Sequence, residues 1–246
     1  EHSYFDSDDF DTLEAKRKPN TKILYVESPT NPGVNILDLE TLGKFAKKHN
    51  LIFIVDNCFA TPYIQKPATL GAHLVIHSST KLMDGQGRVL GGITVGSHEL
   101  IDRIYRFARI TGTALSPFNA WVLSKSLETL AVRVEAHSKN ALSLAEKLEQ
   151  HPKINWVRYP FLKSHPQQKI AKKQMKLGGS IIAFEVKGGI DAGKRFIDHI
   201  KLCSISANLG DTRSIITHPA SSTHAKLSSE ERLAVEITDG MIRLSV

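Results

Sequence analysis

Three short apolar runs, Ile23-Leu24-Tyr25-Val26, Leu51-Ile52-Phe53-Ile54-Val55 and Leu74-Val75-Ile76, each end in polar residues, and a helical pattern separates the first two. Pro29 and Pro32 break the chain after the first run into a turn. Asp38 then fits an N-cap, with Leu39, Leu42, Phe45 and Ala46 on one face of a helix reaching about His49. Ile93-Thr94-Val95, after the Gly91-Gly92 pair, reads as one more strand. Strands that alternate with helices predict a parallel or mixed sheet with helices on both faces. Sites in such sheets form outside the carboxyl ends of the strands, and Glu27, Asp56 and Ser78 fall at that edge.

The second half changes character. From about Pro117 to Gln150 the chain is rich in Ala, Leu, Ser, Glu and Lys with few breakers, and Leu123, Leu127, Leu130 and Val134 fit one helical stripe. Short strand candidates follow at Ile154 to Arg158, Ser180 to Val186 and Ser204 to Ala207, with a helix from about Asp191 to His199 between the last two. The expected fold class is α/β: a large domain with a mixed, mostly parallel sheet over residues 1–137, then a smaller α+β domain over residues 138–246.

Composition excludes several classes. Hydrophobic residues make up 41% of the 246, enough for a core. No run approaches about 18 apolar residues, so no membrane helix is expected. The opening Glu1-His2-Ser3-Tyr4-Phe5-Asp6 lacks the basic and apolar parts of a signal peptide. Cys58 and Cys203 make neither a disulfide framework nor a metal cluster, which fits a cytoplasmic enzyme, and His218 and His224 lack metal-site spacing. The formal charge of +7 is dispersed, without aromatic interleaving, so it suits anionic small molecules rather than nucleic acid.

Lys81 carries the chemistry. It follows the third apolar run through His77-Ser78-Ser79-Thr80, precedes Asp84-Gly85-Gln86-Gly87, and stands twenty-five residues after Asp56. A lysine and an aspartate, each at the carboxyl end of an apolar strand, are what pyridoxal 5′-phosphate chemistry requires. The amine condenses with the cofactor aldehyde, and the carboxylate pairs with the pyridinium nitrogen.

Five stretches occur in order: Glu27-Ser28-Pro29-Thr30-Asn31-Pro32, Val55-Asp56-Asn57, His77-Ser78-Ser79-Thr80-Lys81, His218-Pro219-Ala220-Ser221-Ser222-Thr223-His224 and Ile242-Arg243-Leu244-Ser245-Val246. Together they resemble the pyridoxal-phosphate-dependent enzymes of cysteine and methionine metabolism. The resemblance implies that Lys81 is the catalytic lysine and that Asp56, Ser78, Thr80 and Asn31 join it in holding the cofactor. Ser78 and Thr80 would serve the phosphate, and Asn31 the 3-oxygen or the substrate. It further implies that Arg243 grips the substrate α-carboxylate and that Asn208 shapes the same pocket. Family members are homo-oligomers, dimers or tetramers, and carry a long segment before the point where this chain begins. That segment holds a phosphate loop, a ring-stacking aromatic residue and cross-subunit contacts, so the chain reads as a fragment.

Lys81-Leu82-Met83-Asp84-Gly85-Gln86-Gly87-Arg88 and Ala207-Asn208-Leu209-Gly210-Asp211-Thr212 resemble the branch that replaces the acyl group of O-succinylhomoserine with sulfide. Many γ-lyases and cystathionine synthases of the family have serine where this chain has Asn208. Elimination from methionine or cystathionine, cystathionine synthesis, and a non-catalytic fragment unable to hold cofactor remain the alternatives.

Overall fold

The computed structural model describes residues 2–5 and 10–246. Glu1 and Asp6 of the opening segment lie outside them. In chain order the elements are α1 (Phe10–Lys16), β1 (Ile23–Glu27), α2 (Leu39–Lys48), β2 (Ile52–Asp56), α3 (Thr61–Ile64), β3 (Leu74–Ser78), β4 (Gly92–Gly96), α4 (His98–Thr111), α5 (Pro117–Leu127), α6 (Leu130–Glu149), β5 (Ile154–Arg158), α7 (Gln168–Gln174), β6 (Ile181–Val186), α8 (Gly189–His199), β7 (Ser204–Ile205), β8 (Ile215–Thr217), α9 (Ser229–Ala234) and β9 (Met241–Ser245). No helix among the described residues is long and apolar enough to cross a membrane.

The first sheet has the order β1-β2-β3-β4, parallel except for β4. Leu24, Val26, Phe53 and Val55 alternate onto one face and are buried with Leu39, Leu42 and Ala46 of α2 and Leu13 of α1. Asp38 caps α2 as its sequence predicts, its Oδ1 accepting from the Thr41 N–H at 3.1 Å. Helices on both faces of this sheet were the sequence expectation. The face opposite α2 instead leaves Ile23 and Tyr25 each 52% exposed.

The second sheet has the order β5-β6-β9-β8-β7, antiparallel except for the β7–β8 pair. Ile182, Phe184, Ile216, Ile242 and Leu244 pack with Ala141 and Ala145 of α6. The alternate residues, Ile181, Ala183 and Met241, pack with Val34 and Phe59 from the loops after β1 and β2. Period-2 alternation therefore turns Arg243 of β9 toward the carboxyl edge of the first sheet.

Two sequence expectations change. The expected single stripe from Leu123 to Val134 is two helices, because the Ser126 carbonyl at the end of α5 is taken by the Thr129 hydroxyl (3.2 Å) and Arg133 Nη2 (2.9 Å). The strand expected from Ser204 to Ala207 stops at Ile205, since the Ala207 and Asn208 carbonyls accept from Arg243 Nη2 at 2.8 and 3.0 Å. Helix α6 runs across the division expected between residues 137 and 138.

Candidate active site

Glu27 and Asp56 are register partners at the ends of β1 and β2, and Asp56 pairs with Ile76 of β3. Ser78 stands two residues beyond Ile76, on the same face as both carboxylates. The next residues do not continue the strand. Ser79–Met83 form a turn kinked at Lys81, whose φ −91° and ψ −135° are not helical. Here the turn lifts the Lys81 side chain off the sheet edge, and its Nζ donates to Asn208 Oδ1.

Side chains from distant elements hold this turn. Arg133 donates to the Leu82 carbonyl at 2.6 Å and the Met83 carbonyl at 3.2 Å. Asp84 is fully buried and binds Arg88 through its N–H (2.6 Å) and its Nε (3.1 Å), and also accepts from Ser126. From the second sheet, the Ser245 hydroxyl accepts the Gly210 N–H at 2.9 Å. Gly210 has φ +74°, and a Cβ built on it would lie 2.6 Å from the Leu82 nitrogen and 3.0 Å from the Lys81 carbonyl carbon. Both the left-handed backbone and the close approach require glycine here. Gly210→Ala is expected to destabilise the protein by about 2 kcal/mol or more. A fall in the urea midpoint at unchanged slope checks this, and an unchanged midpoint would refute the packing argument.

Asp56 is held on both sides. Its Oδ1 accepts the Cys58 N–H at 3.0 Å, and its Oδ2 the Tyr25 hydroxyl at 3.4 Å. Burial, then the Asp56 charge, push the Cys58 thiol and the Tyr25 phenol each up to about 12, so both stay neutral at physiological pH. Cys58 is close enough to Lys81 to perturb it, and its Sγ accepts the Ser78 N–H at 2.8 Å. Behind Asp56, buried Asn57 donates to the Thr61 and Gln65 carbonyls at 3.1 and 3.0 Å, and Gln65 donates to the Ser28 carbonyl at 2.8 Å. This amide lattice ties the segment after β2 to the one after β1.

Arg243 is 4% exposed. Its Nη1 donates to Asn31 Oδ1 at 2.9 Å, so the donor end of the Asn31 amide is left for another partner. Burial pulls its pKa down to about 10, which leaves it cationic at neutral pH. Burial is also the main cause that lowers the Lys81 pKa, and the Arg243 charge is the second. An amine depressed in this way is a better nucleophile and base than a free lysine near ~10.4.

All seven residues singled out from the sequence, Lys81, Asp56, Ser78, Thr80, Asn31, Asn208 and Arg243, come to the edge where the two sheets meet. Thr80 is partly engaged: its hydroxyl accepts the Gly91 N–H at 3.0 Å and reaches the Gly91 carbonyl at 3.3 Å. The longer contact can be given up, freeing the hydroxyl proton for an anion. Tyr25 and Cys58 were missed as site residues. The signal for both was positional, since each stands two residues along the chain from an edge carboxylate.

The donor set fits pyridoxal 5′-phosphate. An amine with a lowered proton affinity and a carboxylate fixed by two donors lie at one edge. Nearby, the buried Ser79 hydroxyl has no hydrogen-bond partner among the described residues.

Comparison with known proteins agrees. The chain is 48% identical to O-succinylhomoserine sulfhydrylase of Pseudomonas aeruginosa over 97% of its own length and 59% of that protein's. It is 47% identical to L-methionine gamma-lyase of Fusobacterium nucleatum subsp. polymorphum over its whole length and 63% of the relative's. Cystathionine gamma-lyase from Lactobacillus plantarum, solved with L-serine, superposes with a TM-score of 0.95 at 36% identity, over 99% of this chain and 64% of that one. The chain therefore spans about three fifths of the relatives it matches. The sequence profile of the Cys/Met metabolism PLP-dependent enzymes matches residues 1–246, and the chain belongs to that family, whose cofactor is pyridoxal 5′-phosphate.

Proposed function

We propose that this chain is part of a cytoplasmic enzyme that makes homocysteine from an O-acylhomoserine, with O-succinylhomoserine preferred, and sulfide. In the net reaction the Cγ–O bond to succinate breaks and a Cγ–S bond forms. The observation that carries this reading is the Lys81 Nζ–Asn208 Oδ1 hydrogen bond. It puts an asparagine, which the sulfide-transferring branch resembles, on the catalytic amine where many γ-lyases have serine.

Lys81 would hold the cofactor through its aldehyde, Asp56 through its ring nitrogen, Ser78 and Thr80 through its phosphate, and Asn31 through its 3-oxygen. The bound cofactor supplies an electron sink that makes the hydrogens beside the substrate amine acidic. Arg243 grips the substrate α-carboxylate through a planar fork that lysine would not reproduce. That grip fixes the orientation of the Cα–H bond. Lys81, freed by the incoming amine, removes the Cα proton and carries protons along the substrate carbons. Asn208 holds the freed amine in place between these transfers. Residues 1–137 would form the cofactor-binding domain and 138–246 the second domain.

A homo-oligomer is part of the proposal. Tyr105, Phe107 and Ile110 of α4 and Phe118 and Trp121 of α5 are all at least 59% exposed, an apolar concentration that suits a subunit interface.

The second reading is γ-elimination from methionine, favoured by the 47% identity to the Fusobacterium enzyme. Incubating the cofactor-loaded enzyme with O-succinylhomoserine plus sulfide, and separately with methionine alone, tests the two. Homocysteine should form at least about tenfold faster than 2-oxobutanoate appears from methionine, a margin of about 1.4 kcal/mol in barrier. The reverse ranking would replace the first reading with the second.

A further inference from the structure

Glu27 has no role in the reaction as described, yet it joins the carboxylate site to the sheet edge. Its Oε2 accepts the Asn31 N–H at 3.1 Å, and the Asn31 side chain in turn accepts from Arg243 at 2.9 Å. Glu27 therefore fixes the backbone of the residue whose amide fixes the arginine. The groups that face it are Asp56 from β2 and Arg243 from β9. Tyr25 on its own strand and Cys58 after β2 also lie within electrostatic reach. Tyr25 and Cys58 are neutral at physiological pH, so the charged groups that face Glu27 are one carboxylate, Asp56, and one guanidinium, Arg243.

A substrate carboxylate placed on Arg243 would share that one cation with the Glu27 carboxylate in a largely buried setting, with the Asp56 charge also facing Glu27. One anion must then be neutralised. Asp56 is held by the Cys58 N–H and the Tyr25 hydroxyl, whereas among the described residues Glu27 accepts only the Asn31 N–H. A protonated Glu27 keeps that bond through its carbonyl oxygen and leaves the Arg243 charge undivided. Burial, aided by the Asp56 charge, already lifts the Glu27 carboxyl to about 7.

We propose that Glu27 is a positioning residue that takes up a proton when an amino-acid carboxylate seats on Arg243, so that substrate binding and proton uptake are one coupled event. The inference rests on Arg243 being the carboxylate site. Linkage sets the sign: when binding takes up a proton, affinity falls as pH rises above the free Glu27 value, by about tenfold per pH unit at the limit.

The probe is butanoate, a carboxylate without an amine of its own to exchange protons. It is mixed with cofactor-loaded enzyme in weakly buffered solution containing a pH-indicator dye, and its affinity is measured from pH 6 to 9. Wild type should take up a substantial fraction of one proton per site near pH 7.5, and butanoate should bind several-fold more weakly at pH 8 than at pH 7. In Glu27→Gln the uptake should vanish and the affinity should become flat with pH. A proton bound instead at the Lys81–cofactor linkage would shift the visible absorbance and persist in Glu27→Gln, which overturns the proposal. Butanoate binding to wild type with no uptake overturns it equally, without recourse to any variant. Arg243→Lys separates this failure from that of the parent reading. If the variant binds butanoate as wild type does, or wild type does not bind it at all, the carboxylate site is misassigned and both ideas fall. If Arg243→Lys weakens binding but wild type takes up no proton, only the role of Glu27 falls.

Discussion

Lys81→Ala is expected to lower turnover of the cofactor-loaded enzyme by at least ~10⁴-fold, because one side chain supplies both the covalent attachment and the proton carrier. The fold should survive. Residue 81 is only half-buried, and the turn around it is held through main-chain carbonyls by Arg133 and through Asp84 by Arg88. Borohydride reduction of wild type should fix the cofactor on the peptide that contains Lys81, and the variant should lose that label while still binding cofactor through its other contacts. A label mapped to a different lysine would remove Lys81 from the mechanism. Cofactor absorbance and a thermal melt of the variant separate loss of chemistry from loss of structure.

Asp56→Asn is the second large effect. The amide preserves the shape, and its one oxygen can keep the Cys58 N–H, which meets Asp56 Oδ1 at 3.0 Å, while its NH2 replaces the oxygen that accepts from the Tyr25 hydroxyl at 3.4 Å and turns that contact round. What disappears is the negative charge that the proposed function pairs with the ring nitrogen. Losing one preorganised charge in a site of this kind costs about 3–4 kcal/mol, so exchange of the substrate α-proton into deuterated water should slow by ~10²–10³-fold. NMR of a substrate in deuterated buffer measures this directly. Exchange within a factor of a few of wild type would mean that Asp56 only caps the turn after β2. Because Lys81→Ala removes the base and Asp56→Asn weakens the sink, the double variant should be much less than the product of the two defects, as for residues that act as a unit.

Local pattern carried much of the architecture. The first three strands, the capped helix α2 and the polar residues at the strand ends are written in short-range alternation, in proline breaks and in an Asp three residues before Thr41. Lys81 was legible because few chemistries need a lysine between a buried strand and a glycine turn. The misreadings arose where a distant side chain intervened. Arg243 consumed two carbonyls that would have extended β7, and Arg133 helped to separate α5 from α6. Helix α4 was not expected at all. Against the described residues none of its side chains is fully buried, and Leu100, Ile101 and Ala108 are only half-buried, so it adds no side chain to the described core.

The sequence by itself determined which residues share a strand face, where the carboxyl edge lies and which side chains at that edge can do cofactor chemistry, because those properties depend on neighbours a few residues apart. Only the tertiary structure decided what those side chains meet. Arg243 reaches Asn31 across 212 positions, and Lys81 reaches Asn208 across 127. Glu27 acquires its altered proton affinity from burial and from charges on two other strands. Period-2 alternation assigns Arg243 to one of two faces, but it cannot say which loop that face will cover. That outcome depends on how the two sheets pack around Val34, Phe59 and Met241, and packing of that kind is a property of the assembled core rather than of any one segment.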